Sequence, residues 1–161
     1  MGAKFSGEHN LLIIDREHYL IVDKRFMDFQ GEEYLIERVV PKFCVPGLCL
    51  EMEKLRNKDL NLKQPSNVAF FDMEEVAFPL KLRRWRQGDY FYPFGMRGKK
   101  KLSDFFVSQK MSLYDKRMQW ILEDAKGRIM WVLGRRSDNR FRVRKNTKEV
   151  LKIKVLYETL E

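Results

Sequence analysis

Apolar residues in this chain come in short runs broken by polar punctuation, and a period of two recurs more often than a period of 3.6. Residues 11–14 and 19–22, separated by Asp15, Arg16, Glu17 and His18, predict a strand, a turn and a second strand. Residues 33–40 repeat the strand signature at a length that also allows a short helix, and Pro46 and Gly47 interrupt the apolar stretch 43–50. Residues 68–72 and 78–85 read as strands; in the second, Leu80 and Leu82 alternate with Lys81 and Arg83, which puts the leucines on the core face. Residues 120–123 and 129–133, joined by Asp124, Ala125, Lys126 and Gly127, form the clearest hairpin, and residues 140–144 and 149–157 alternate again. Two stretches have helical spacing. Leu102, Phe105 and Phe106 share one face within residues 101–109, and Ser112 N-caps a second short helix over 113–119, with Asp115 in its first turn. The sum is an α+β chain of mostly antiparallel strands with a few short helices.

A polar segment, residues 55–65, ends in proline and marks a boundary between two small subdomains. Residues 1–66 are expected to form a strand-rich connecting unit and residues 67–161 a basic domain. Charge supports this division. The net charge of +9 comes from unlike halves: residues 1–80 hold 10 Lys/Arg against 14 Asp/Glu, and residues 81–161 hold 22 against 9. Such an asymmetry fits one part that meets a polyanion and another that scaffolds it or faces a different partner. With 44% hydrophobic and 13% aromatic residues the chain folds rather than staying disordered. No window approaches the roughly 18 apolar residues of a membrane span, and no secretory signal opens the chain. A cytoplasmic protein without a membrane partner is expected.

Candidate chemistry concentrates in the basic half. Residues 95–101, GMRGKKK, miss the P-loop pattern, because Pro93 stands where its first glycine belongs and Lys99 is followed by another lysine. What remains is a loop carrying Arg97, Lys99, Lys100 and Lys101 into a helix start, where free amides also favour an anion. Arg83, Arg84 and Arg86 surround Trp85, and Arg135, Arg136, Arg140, Arg142 and Arg144 form a later cluster. Guanidinium forks match phosphate oxygens, so these cations are the candidate nucleic-acid contacts, expected on one continuous face. Tyr90, Phe91, Tyr92 and Phe94 offer stacking on unpaired bases or, more commonly for rings near glycine turns, core packing. Asp89, Asp104 and Asp138 find no nucleophile, histidine or metal cluster at useful spacing, which leaves no catalytic residue. Asp89 is expected to organise a turn, Asp104 to cap or pair with the lysine run, and Asp138 to order Arg136 or Arg140. Cys44 and Cys49 are expected as buried free thiols, and with His9 and His18 the only histidines, no zinc site is expected.

The segment LRRWRQGDYFYPFGMRGKKKLSDFF, residues 82–106, and the later WVLGRRSDNRFRV, residues 131–143, resemble the C-terminal region of bacterial tRNA(Ile)-lysidine synthetase. Shared positions include Gly88, Asp89, Phe91, Pro93, Gly95, Met96, Gly98, Lys100, Lys101, Leu102, Asp104, Phe105 and Phe106, then Trp131, Gly134, Arg136, Asp138 and Arg140. The resemblance implies an enzyme that uses ATP, with Mg, and lysine to convert the wobble cytidine of an isoleucine tRNA with a CAU anticodon into lysidine. The family's Ser-Gly-Gly-x-Asp-Ser loop occurs nowhere here. The chain is therefore expected to be a C-terminal part, without cofactor and inactive alone, that binds and positions tRNA for a missing N-terminal catalytic domain. The competing expectation is a protein-interaction module whose basic face docks an acidic surface, either that catalytic domain or a homodimer mate.

Overall fold

The structure, a computed structural model, describes residues 3–6, 10–15, 18–23, 32–58 and 60–157. Strands β1 (Ala3–Ser6), β2 (Asn10–Asp15) and β3 (His18–Asp23) pair antiparallel in that order. The predicted first hairpin is present, with pairing from Asn10 and Asp23 to Asp15 and His18; Arg16 and Glu17, expected in its turn, lie outside the described residues.

Two larger antiparallel sheets follow. One runs β13 (Arg136–Ser137), β12 (Ile129–Val132), β11 (Trp120–Glu123), β8 (Leu80–Arg84) and β4 (Glu33–Ile36). The other runs β5 (Lys42–Val45), β6 (Leu48–Arg56), β14 (Glu149–Tyr157) and β7 (Val68–Asp72). Their facing side chains make one core: Leu80, Leu82, Trp120, Leu122 and Trp131 meet Leu50, Phe71, Leu151 and Ile153. The strands read at residues 68–72 and 149–157 are β7 and β14, with the same bounds.

A second core covers the other face of the five-stranded sheet. Phe91 of β9 (Tyr90–Phe91) and Leu102, Phe105 and Phe106 of α1 (Leu102–Ser108) pack on Ile121, Ile129 and Val132. β9 pairs with β10 (Lys100–Lys101), which leads directly into α1. The helix buries the face predicted from its spacing. Because both faces of the sheet are covered, β11 and β12 are buried along their whole length rather than alternating. The second helix, α2 (Leu113–Met118), is N-capped as expected, with the Ser112 hydroxyl accepting from the amide of Asp115 at 3.0 Å.

Three expectations are corrected. The boundary placed between residues 66 and 67 separates no packed units, since β4 pairs with β8 and β6 pairs along its whole length with β14. Residues 140–144 form no strand: Asp138 accepts from the amide of Arg140 and starts a single 3-10 turn, Asn139–Phe141, that buries Phe141. Cys44 and Cys49 are disulfide-bonded rather than free. Pro46 and Gly47 do not merely interrupt a strand; they form a two-residue hairpin loop between Val45 and Leu48, and the next pair in register is Cys44 with Cys49. The bond spans a separation of only 5 residues, so its constraint on the unfolded chain is small. Reduction is expected to lower the unfolding free energy by at most about 2 kcal/mol, read from urea denaturation with and without reductant.

Candidate nucleic-acid interface

The loop between β9 and β10, residues 92–99, turns on Gly95 and Gly98, whose φ values of +79° and +80° are ones that side-chain-bearing residues rarely adopt. Asp138, 1% exposed, holds one end of it. Its Oδ2 accepts from the amide of Tyr92 at 2.9 Å, while Oδ1 and Oδ2 together take the Nε and Nη2 of Arg140 at 3.0 and 2.9 Å. Backbone bonds complete the seam: the amide of Phe94 donates to the Ser137 carbonyl at 2.9 Å and that of Asn139 to the Tyr92 carbonyl at 2.6 Å. Arg136 Nη1 donates to the Phe94 carbonyl at 3.3 Å, and the Arg140 guanidinium lies 4.4 Å from the Tyr92 ring centroid. Two basic segments far apart in sequence thus form one surface.

On that surface Arg97, Lys99 and Lys101 are exposed and Lys100 is half-buried, and none of the four meets a carboxylate among the described residues. Lys99 Nζ sits 4.4 Å from the Tyr90 ring centroid. The four aromatics divide by role: Phe91 is fully buried, Tyr92 lies beneath Arg140, and Tyr90 and Phe94 are 44% and 50% exposed. Leu102, the first residue of α1, already donates its amide to the Asp89 carbonyl at 2.9 Å, which takes that donor away from an anion. Asp104 is exposed and pairs with no lysine among the described residues.

Other candidates sit elsewhere. Arg83 is inside the protein, its two terminal nitrogens bonded to Asp89 and to Glu123 at 2.9–3.0 Å. Burial works against its charge, but the two carboxylates more than offset that and hold it above the ordinary arginine value. Asp89 also accepts from the amide of Arg86, so it organises the turn as expected and anchors Arg83 as well. Arg84 is buried too, against Trp120. Arg86 is exposed but paired with Glu33, whose carboxyl is held below its usual range by that hydrogen bond and by a second from Lys81. Arg135 donates through Nε to Gln119, and Arg142 through Nη1 to the Asn139 carbonyl. Arg144 is exposed in the turn that precedes β14. The structure therefore joins Arg136 and Arg140 to the lysine loop, and does not join Arg83, Arg84, Arg86 or Arg135 to it.

Lys116 and Arg117 escaped the sequence reading. They stand in the last turn of α2 and line a cleft of 470 Å³ together with Arg84, Trp85 and Arg86. The only sequence signal was two adjacent cations at a helix C-terminus, where they also suit the dipole.

A family model described as the TilS substrate C-terminal domain matches residues 80–155. The tRNA(Ile)-lysidine synthase of Parabacteroides distasonis is 44% identical over 98 residues, which cover 61% of this chain and 22% of that protein. That of Bacteroides thetaiotaomicron is 32% identical over 152 residues, covering 93% of this chain and 34% of that protein. The chain thus spans between about a fifth and a third of the length of these relatives. A crystal structure of a TilS C-terminal domain superposes with a TM-score of 0.67 at 24% identity, covering 80% of this chain and all of the other. An N-terminal fragment of the phenylalanyl-tRNA synthetase β-subunit from Pyrococcus horikoshii gives 0.52 at 16% identity over 82% of this chain and 41% of that one. Both likenesses are of fold.

Proposed function

The chain belongs to the tRNA(Ile)-lysidine synthase family through its TilS substrate C-terminal domain, and from that premise we propose that it binds tRNA backbone without carrying catalysis itself. In this reading the surface built from Arg97, Lys99, Lys100, Lys101, Arg136 and Arg140 grips phosphates of an isoleucine tRNA with a CAU anticodon. It holds the tRNA for a catalytic domain in the same longer enzyme, which uses ATP, Mg and lysine on the wobble cytidine. The supporting observation is the Asp138 seam, which brings two basic segments onto one surface, where the loop cations meet no carboxylate among the described residues.

Titration of tRNA at low salt is the test, with binding that weakens as salt rises. If about five phosphates are neutralised, log K falls against log salt with a slope of about −3.5 to −4.5. Charge reversal at Lys99, Lys100 and Lys101 is expected to abolish binding while the oligomeric state is unchanged. The reverse outcome, intact tRNA binding with a lost assembly, would make the basic face a protein-docking surface instead. The isolated chain, given tRNA, ATP and lysine, is expected to make no lysidine.

A further inference from the structure

We propose that the cleft between β8 and α2 is a phosphate-binding pocket centred on Arg84. This residue is 8% exposed and meets no carboxylate among the described residues. Its Nη1 donates to the Met118 carbonyl, and its guanidinium carbon lies 3.7 Å from the Trp120 ring centroid. A buried cation held by neutral partners recovers little of its desolvation cost. Arg83, one residue away, shows the contrast, because two carboxylates neutralise it. Burial pulls Arg84 down to about 10, against opposing influences from Tyr114, Tyr34 and Glu32, so it stays charged at neutral pH.

The surroundings are built for an anion. Arg86, Lys116 and Arg117 line the same 470 Å³ cleft, with Trp85 as a wall. Arg83 also borders it, and Arg83 Nε is a buried donor with no hydrogen-bond partner among the described residues. The one acid on the rim, Glu32, accepts from the Tyr34 hydroxyl. Arg84, Lys116 and Arg117 border one space, while Arg86 is paired with Glu33; guanidinium forks and a flexible ammonium suit the several oxygens of a phosphate. The space also lies within the size range of small-ligand sites. In the sheet, β8 is separated from β13 by β11 and β12, roughly 14 Å at the usual strand spacing. No residue of the lysine loop lines the cleft, and the proposal does not rest on the RNA reading.

The phosphate has two possible sources: a free small molecule, or the terminal phosphate of a nucleic acid. Amide and indole NMR of the chain, titrated with inorganic phosphate at constant ionic strength, tests the pocket directly. Saturable shifts are expected at Trp85 and along residues 84–86 and 113–118, and matched chloride is expected to cause none. Arg84→Met is expected to abolish them, and the surface double variant Lys116→Ala with Arg117→Ala to weaken binding by at least about tenfold; the double variant carries the test if Arg84→Met does not fold. Lys99→Ala is expected to bind phosphate normally. Tighter binding of a 5′-phosphorylated oligonucleotide than of its dephosphorylated form assigns the site to a nucleic-acid end, and tighter binding of adenosine monophosphate than of either assigns it to a free nucleotide. The proposal is overturned by non-saturable shifts, by equal shifts with chloride, or by phosphate binding that survives the double variant unchanged. Loss of tRNA binding on loop substitution, with the pocket still filled by phosphate, separates a failure of one site from a failure of the other.

Discussion

Arg83→Ala is expected to lower the unfolding free energy by about 3–5 kcal/mol, more than any other substitution among the candidate cations. The guanidinium bridges Asp89 on the turn after β8 to Glu123 at the end of β11 and also donates to the Arg84 carbonyl at 3.0 Å. Both carboxylates are largely covered, with side chains 14% and 12% exposed, and truncation leaves them without their main counter-charge. Lys81, 3.7 Å from Glu123, compensates only one of them. Urea denaturation followed by circular dichroism measures the loss. Arg86→Ala provides the internal contrast: Arg86 is exposed and its pairing with Glu33 is screened by solvent, so the unfolding midpoint is expected to stay put. A loss at Arg83 no larger than that at Arg86 would mean that Arg83 is a surface residue.

The second large effect is expected at Asp138. This carboxylate accepts the amides of Tyr92 and Arg140 as well as two guanidinium bonds, and its side chain is wholly buried. Asp138→Ala leaves buried donors unpaired and an arginine without its counter-ion, a loss of about 3–5 kcal/mol. It also unfastens the loop from β13. Where Arg83→Ala leaves the loop seam intact, Asp138→Ala is expected to weaken tRNA binding on the order of tenfold even at temperatures where the variant is folded, since the loop cations must then be ordered on binding. Fluorescence anisotropy with labelled tRNA, set beside denaturation of the same sample, reads both effects. Full affinity in a folded Asp138→Ala variant would show that the seam does not present the cations.

Sequence patterning was most informative where a strand has one buried face or a helix one buried stripe. β14 and α1 follow from alternation or from 3.6-residue spacing alone, and Ser112 caps α2 through local chemistry. It was least informative where a second layer arrives from distant sequence. Alternation in β8 assigns Arg83 to the face away from the leucines, but α1 and β9 cover that face, so an apparently solvated arginine becomes a buried ion pair. Polar residues 55–65 read as a boundary because nothing local announces that β6 and β14 pair across it. Asp138 overrode the alternation of residues 140–144 by capping a turn. The disulfide depended on register: Cys44 faces Cys49 only because the Pro46–Gly47 loop has two residues. For the interface, the sequence puts the candidate cations in the basic half, yet their division into presented, paired and buried groups is set by tertiary contacts that composition does not encode.

The central claim is that the loop cations held by the Asp138 seam contact phosphates. Its most direct test is the salt dependence of tRNA binding by the unaltered chain and by the triple variant Lys99→Ala, Lys100→Ala and Lys101→Ala. Each lost phosphate contact removes about 0.7–0.9 from the slope of log K against log salt, so the triple variant is expected to be shallower by about 2–3. Parallel lines of equal slope for the two proteins would contradict the account.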